Sequence, residues 1–112
     1  PFEGKLGELI YEMIGSKDSA GGTVKHSFVY VTIPPGKSSP LHYHKISEES
    51  YYILKGQAEM VVDGKKFFLK AEQACLIMPG EKHKIVNSGR EDLEFLTISA
   101  PAWDIRDSYF LE

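Results

Sequence analysis

No stretch of this chain free of glycine and proline keeps apolar residues at i, i+3, i+4 and i+7 over the roughly ten residues that an amphipathic helix needs. Ten Gly and six Pro cut the sequence into short pieces instead. Those pieces are dense in β-branched and aromatic residues, which suit a pleated, half-buried surface. Read in order, they predict strands at 6–14, 25–33, 41–44, 50–54, 57–62, 65–70, 74–78, 83–87 and 93–99. The pair 57–62 and 65–70 is joined by Asp63-Gly64, which favours the positive-φ turn of a two-residue hairpin. About nine strands spaced by roughly 8–12 residues indicate an all-β sandwich or barrel. Residues 16–23 read as a polar loop, and 100–112 as a C-terminal tail carrying Trp103, Tyr109, Phe110 and Leu111.

At 112 residues the chain has the length of one domain, expected to span 1–112. Thirteen Lys and Arg against sixteen Asp and Glu give a net charge of −3, which disfavours nucleic acid and anionic membrane as partners. No apolar run approaches the roughly 18–20 residues of a membrane-spanning helix. A single cysteine, Cys75, excludes an internal disulfide, and its setting in Ala74-Cys75-Leu76-Ile77-Met78 reads as a small buried hydrophobe. The start shows no signal-peptide pattern, so a cytoplasmic location is expected.

The candidate chemistry rests on few residues. The chain has four histidines, His26, His42, His44 and His83. His42 and His44 share a face if extended, since alternate side chains of a strand point the same way. Glu49 follows at the start of the next strand, with Glu48 as an alternative carboxylate that the spacing to Gly56 disfavours. His83 comes after the turn at 79–82. Three imidazoles and a carboxylate suit a divalent first-row transition metal: iron, manganese, nickel, cobalt, copper or zinc. A closed tetrahedral zinc clip is the structural alternative. His26 belongs to no motif. Tyr51 and Ile53 share parity with Glu49, and Ile85 with His83, so all three are expected to line a pocket. Asn87 is expected to bond turn backbone rather than a ligand. No lysine is identifiable inside the barrel, and no residue is assigned a catalytic role.

Two blocks carry a family resemblance. Gly36, His42, His44, Glu49 and Gly56 stand in the spacing G-x5-H-x-H-x4-E-x6-G over 36–56. Gly80, His83 and Asn87 form a second block within 72–87. The chain thereby resembles a small single-domain cupin. The second block departs from the family pattern. Glu72 stands where a glycine is expected, and Met78 stands at the expected proline position, with Pro79 beside Gly80. These departures touch turn residues and spare the histidine. The resemblance implies a double-stranded β-helix, a jelly-roll barrel with one metal ion held by His42, His44, Glu49 and His83 inside its wider mouth.

The function implied is that of a metalloenzyme acting on a small oxygen-rich molecule, of dioxygenase, isomerase or epimerase, or decarboxylase type. The alternative is a non-catalytic, metal-dependent module that binds or senses a small ligand. A homodimer is also expected, because segment 6–14 and the tail hold more apolar surface than an isolated edge usually shows. The competing expectation is that these residues fold back to plug the bottom of their own barrel.

Overall fold

The computed structural model describes residues 2–16 and 22–112, so most of the polar segment 16–23 lies outside the described residues. Eleven strands run along the described chain: β1 (Phe2–Glu3), β2 (Leu9–Ile14), β3 (Ser27–Ile33), β4 (His42–Tyr43), β5 (Glu48–Lys55), β6 (Gln57–Val62), β7 (Lys65–Lys70), β8 (Ala74–Ile77), β9 (His83–Asn87), β10 (Leu93–Ala100) and β11 (Tyr109–Phe110). A 3₁₀ turn at Ile105–Asp107 is the sole helical element among the described residues. One sheet has the order β1-β2-β3-β10-β5-β8 and the other β11-β4-β9-β6-β7. The strand pairs of both sheets are antiparallel. This is the all-β, double-stranded β-helix architecture implied above.

The inner faces follow the period of two. Val29, Val31 and Ile33 of β3, Tyr51 and Ile53 of β5, and Leu93 and Phe95 of β10 enter the core from the first sheet. Ala58, Met60, Leu69 and Ile85 meet them from the second. Phe28 and Tyr30, whose face was open in the sequence, alternate with the buried residues of β3 and lie on its outer side. Cys75 is half-buried against the core, and burial first, then Glu49, pushes its thiol up to about 11.

Local chemistry sets the turns. Asp63 and Gly64 take φ of 47° and 80°, the geometry that closes a two-residue hairpin between Val62 and Lys65. Gly56 sits at φ 88°, and a Cβ there would stand 3.1 Å from the Asp92 carbonyl oxygen and 3.2 Å from Leu93 Cα. Backbone packs where a side chain would be, which accounts for a glycine at that place. Glu72 occupies the position where the family pattern has glycine, and it adopts the glycine-like φ of 70°. The turn is therefore kept despite the substitution, anchored by Glu72 N–H donating to the Ile53 carbonyl at 2.7 Å. Asn87 is fully buried. Its Nδ2 donates to the carbonyls of Ile33 and Glu91, both at 2.8 Å, and its Oδ1 accepts from Gly89 N–H at 2.9 Å. It bonds backbone, as read from the sequence.

The tail folds back on its own barrel. Ala102 N–H donates to the Val24 carbonyl, and Trp103 N–H to Ser27 Oγ. β11 then pairs with β4, and Leu111 N–H donates to the Leu41 carbonyl at 2.8 Å. The apolar tail residues read as a candidate interface are thus partly spent within the chain.

Candidate metal centre

The two sheets bring the ligands together from separate strands. His42 on β4 lies opposite His83 on β9, with ring centroids 4.2 Å apart. His44, just past β4, stands 5.1 Å from the His42 ring and 5.5 Å from the His83 ring. Glu49 reaches them from β5 in the opposite sheet. One ligand atom from each of the four residues lies within 4.8 Å of the others. Glu49 points inward and is 5% exposed, whereas Glu48 is on the outward parity of β5 and is exposed. The carboxylate beside the histidines is therefore that of Glu49. His26 is exposed and outside the cluster.

Each imidazole is oriented by the backbone. His42 Nδ1 bonds the Pro40 carbonyl at 2.8 Å, His44 Nδ1 the Asp107 carbonyl at 3.0 Å, and His83 Nδ1 the Glu81 carbonyl at 2.9 Å. A carbonyl only accepts, so Nδ1 carries the proton and each Nε2 presents a lone pair to the centre. Ser99 Oγ, the cross-strand neighbour of Glu49, donates to Glu49 Oε2 at 3.1 Å. The remaining oxygen, Oε1, lies 3.4 Å from His83 Nε2 and 3.7 Å from His44 Nε2.

These inward atoms face one another without a hydrogen bond. His44 Nε2, His83 Nε2 and Glu49 Oε1 are buried and make no hydrogen bond. Such a group costs about 1–3 kcal/mol unless something satisfies it. Lone pairs facing a carboxylate call for a positive charge between them. Electrostatics couple the same groups, and in the absence of a cation Glu49 draws a proton toward His44. Burial pushes the Glu49 carboxyl up, but His44 and His83 outweigh it and hold it well below the usual range. Burial pulls His44 down, yet Glu49 leaves it raised. Burial, then His83, pulls His42 down to about 4, so its nitrogen stays available as a ligand at neutral pH. The donor set and its orientation fit a divalent transition metal.

A cavity of about 300 Å³ opens beside the cluster, bounded by His42, His44, Glu49 and Tyr51 at its polar end. Tyr51 is part of that wall. Ile53 and Ile85, also expected at a pocket, pack within the core and are not part of this wall. Inward parity locates a residue between the sheets but not along the barrel axis, hence that correction. Lys5, which the sequence did not single out, is exposed and contributes to the cavity lining. Glu8 is a second carboxylate on the wall, and burial, then Glu49, pushes it up to about 7. The sequence carried no sign of Asp107 either. Its carboxylate accepts from the N–H groups of Lys45, Ile46 and Ser47, while its carbonyl orients His44.

Known proteins agree with this geometry. The family model described as a cupin domain matches residues 29–99. An uncharacterized protein of Methanocaldococcus jannaschii, MJ1618, is 37% identical over the whole chain and 88% of its own length. An oxalate-binding protein of Thermotoga maritima is 37% identical over 87% of this chain and 79% of its own. Among solved structures, a predicted oxalate decarboxylase from Thermotoga maritima is 40% identical with a TM-score of 0.65. That match covers 67% of this chain and 65% of the solved one, just under two thirds of its length. With a family model matched across more than half the chain and relatives of this identity beside it, the chain belongs to the cupin family.

Proposed function

We propose that this cupin binds one divalent transition-metal ion at His42, His44, Glu49 and His83, and uses it to hold and act on a small carboxylate or other oxygen-donor molecule. The observation that carries the reading is the set of buried, unpartnered ligand atoms aimed at one another. A bound metal supplies Lewis-acid polarisation of ligand oxygens. The chain supplies the rest. Backbone carbonyls hold the three rings, Ser99 holds Glu49, and the apolar cavity wall excludes water. Glu8, raised to about 7, can hold or release a proton at the wall near neutral pH. The names of the Thermotoga maritima relatives favour a carboxylate. A binding module without turnover is the alternative, separated from an enzyme by assaying oxalate consumption. The test is calorimetric titration of oxalate into protein analysed for metal, loaded or chelator-treated. Binding to the loaded form alone is expected, and equal or absent binding in both forms overturns the reading.

We further propose a homodimer. The outer face of the larger sheet exposes Tyr52, Leu54, Leu76 and Ile98, a contiguous apolar set on β5, β8 and β10. Sedimentation at micromolar concentration is expected to give twice the chain mass of 12.6 kDa, and a single species at 12.6 kDa rejects the dimer.

A further inference from the structure

The cavity is larger and more apolar than a two-carbon diacid requires. At about 300 Å³ it lies at the small end of the range for organic-ligand pockets. His42, His44 and Glu49 converge in its wall with Tyr51 and Glu8 near them, and Lys5, Thr97, Ser108 and Glu112 are the other polar members of the lining. Much of the remaining wall is hydrocarbon. Val29, Val31 and Phe95 contribute from the barrel, and Phe2, Trp103 and Phe110 from the two terminal segments. Three of these rings are already arranged for packing. Phe2 meets Trp103 edge-on at 6.3 Å, and Phe110 stacks on His42 at 5.9 Å. A ligand made only of oxygens at the metal would leave this wall against water that finds few partners there.

Resting on the metal-dependent reading above, we propose that the ligand is an amphipathic organic acid. Its carboxylate and an adjacent oxygen occupy the metal end, and a ring-sized apolar body fills the hydrocarbon part of the cavity. Apolar complementarity sets affinity, and the metal sets orientation.

The test keeps the head constant and grows the body. Lactate, α-hydroxyisovalerate and phenyllactate are titrated into the metal-loaded protein and into chelator-treated protein. Calorimetry reads affinity, and Trp103, the chain's single tryptophan, reads occupancy of the apolar end by its emission. Phenyllactate is expected to bind roughly tenfold or more tighter than lactate, from the apolar area it buries, and to change Trp103 emission. Phe110→Ala is expected to narrow the ratio between the two, and with Phe110 51% exposed the truncation removes little core packing. Equal affinities for the three acids with unchanged emission overturn the inference and leave the metal reading standing. Phenyllactate binding that persists after chelation supports the apolar chamber but overturns the metal-held head. No binding by any of the three overturns both.

Discussion

Replacing His42 and His44 together by alanine is expected to weaken metal binding by roughly 100-fold or more. Loss of an outer-sphere partner alone typically costs 10–100-fold, and this variant removes two direct ligands. The effect follows from the arrangement of the centre. With both rings gone, Glu49 and His83 retain one inward oxygen and one inward nitrogen at 3.4 Å, too few donors for a tight site. Competition with a chelator of known affinity measures the change, and circular dichroism confirms that the β-sheet signal persists. His26→Ala serves as the comparison, because that ring is exposed and outside the cluster. An affinity unchanged in the double variant overturns the ligand assignment.

The largest expected effect on stability comes from Phe95→Ala. Phe95 is 1% exposed, stacks on Tyr51 with centroids 5.5 Å apart, and lies on β10 between β3 and β5. Truncation removes buried ring area and leaves a void beside the cavity, at a cost of about 3–5 kcal/mol. Phe68→Ala offers the contrast, since Phe68 is 53% exposed and its loss is expected to cost roughly 0.5 kcal/mol or less. Urea unfolding of the two variants decides between them. Equal midpoints would mean that Phe95 does not hold the sheets together.

What was legible in the sequence was local. Strands β6, β7 and β9 begin and end where their residues indicate, because Asp63-Gly64 and the Pro79-Gly80 turn leave the chain no other register. That His42, His44, Glu49 and His83 come together was legible because each lies at a fixed step from a turn glycine. Non-local pairing was hidden. β1 and β11 are two residues each, too short for any period to register. β2 starts at Leu9, three residues inside the expected strand, because the chain first turns where Gly7 N–H donates to the Gly4 carbonyl. The placement of Lys5 and Glu8 on the cavity wall depends on how that segment crosses the barrel mouth, and no pattern in 6–14 encodes it. Tyr51, Ile53 and Ile85 have the same inward parity, yet Tyr51 alone among them reaches the cavity.

Asp107 joins two parts of the molecule otherwise far apart in sequence. Its carbonyl fixes the ring of His44, and its carboxylate gathers the N–H groups of the loop that leads to Glu49. The same tail carries Trp103, Ile105 and Phe110 onto the cavity wall. If the centre binds the ion proposed above, fixing the His44 ring from the centre would favour the docked tail, because the Asp107 carbonyl holds the same ring. Linkage would then be reciprocal: a docked tail would raise affinity at the centre by the factor by which occupancy favours docking.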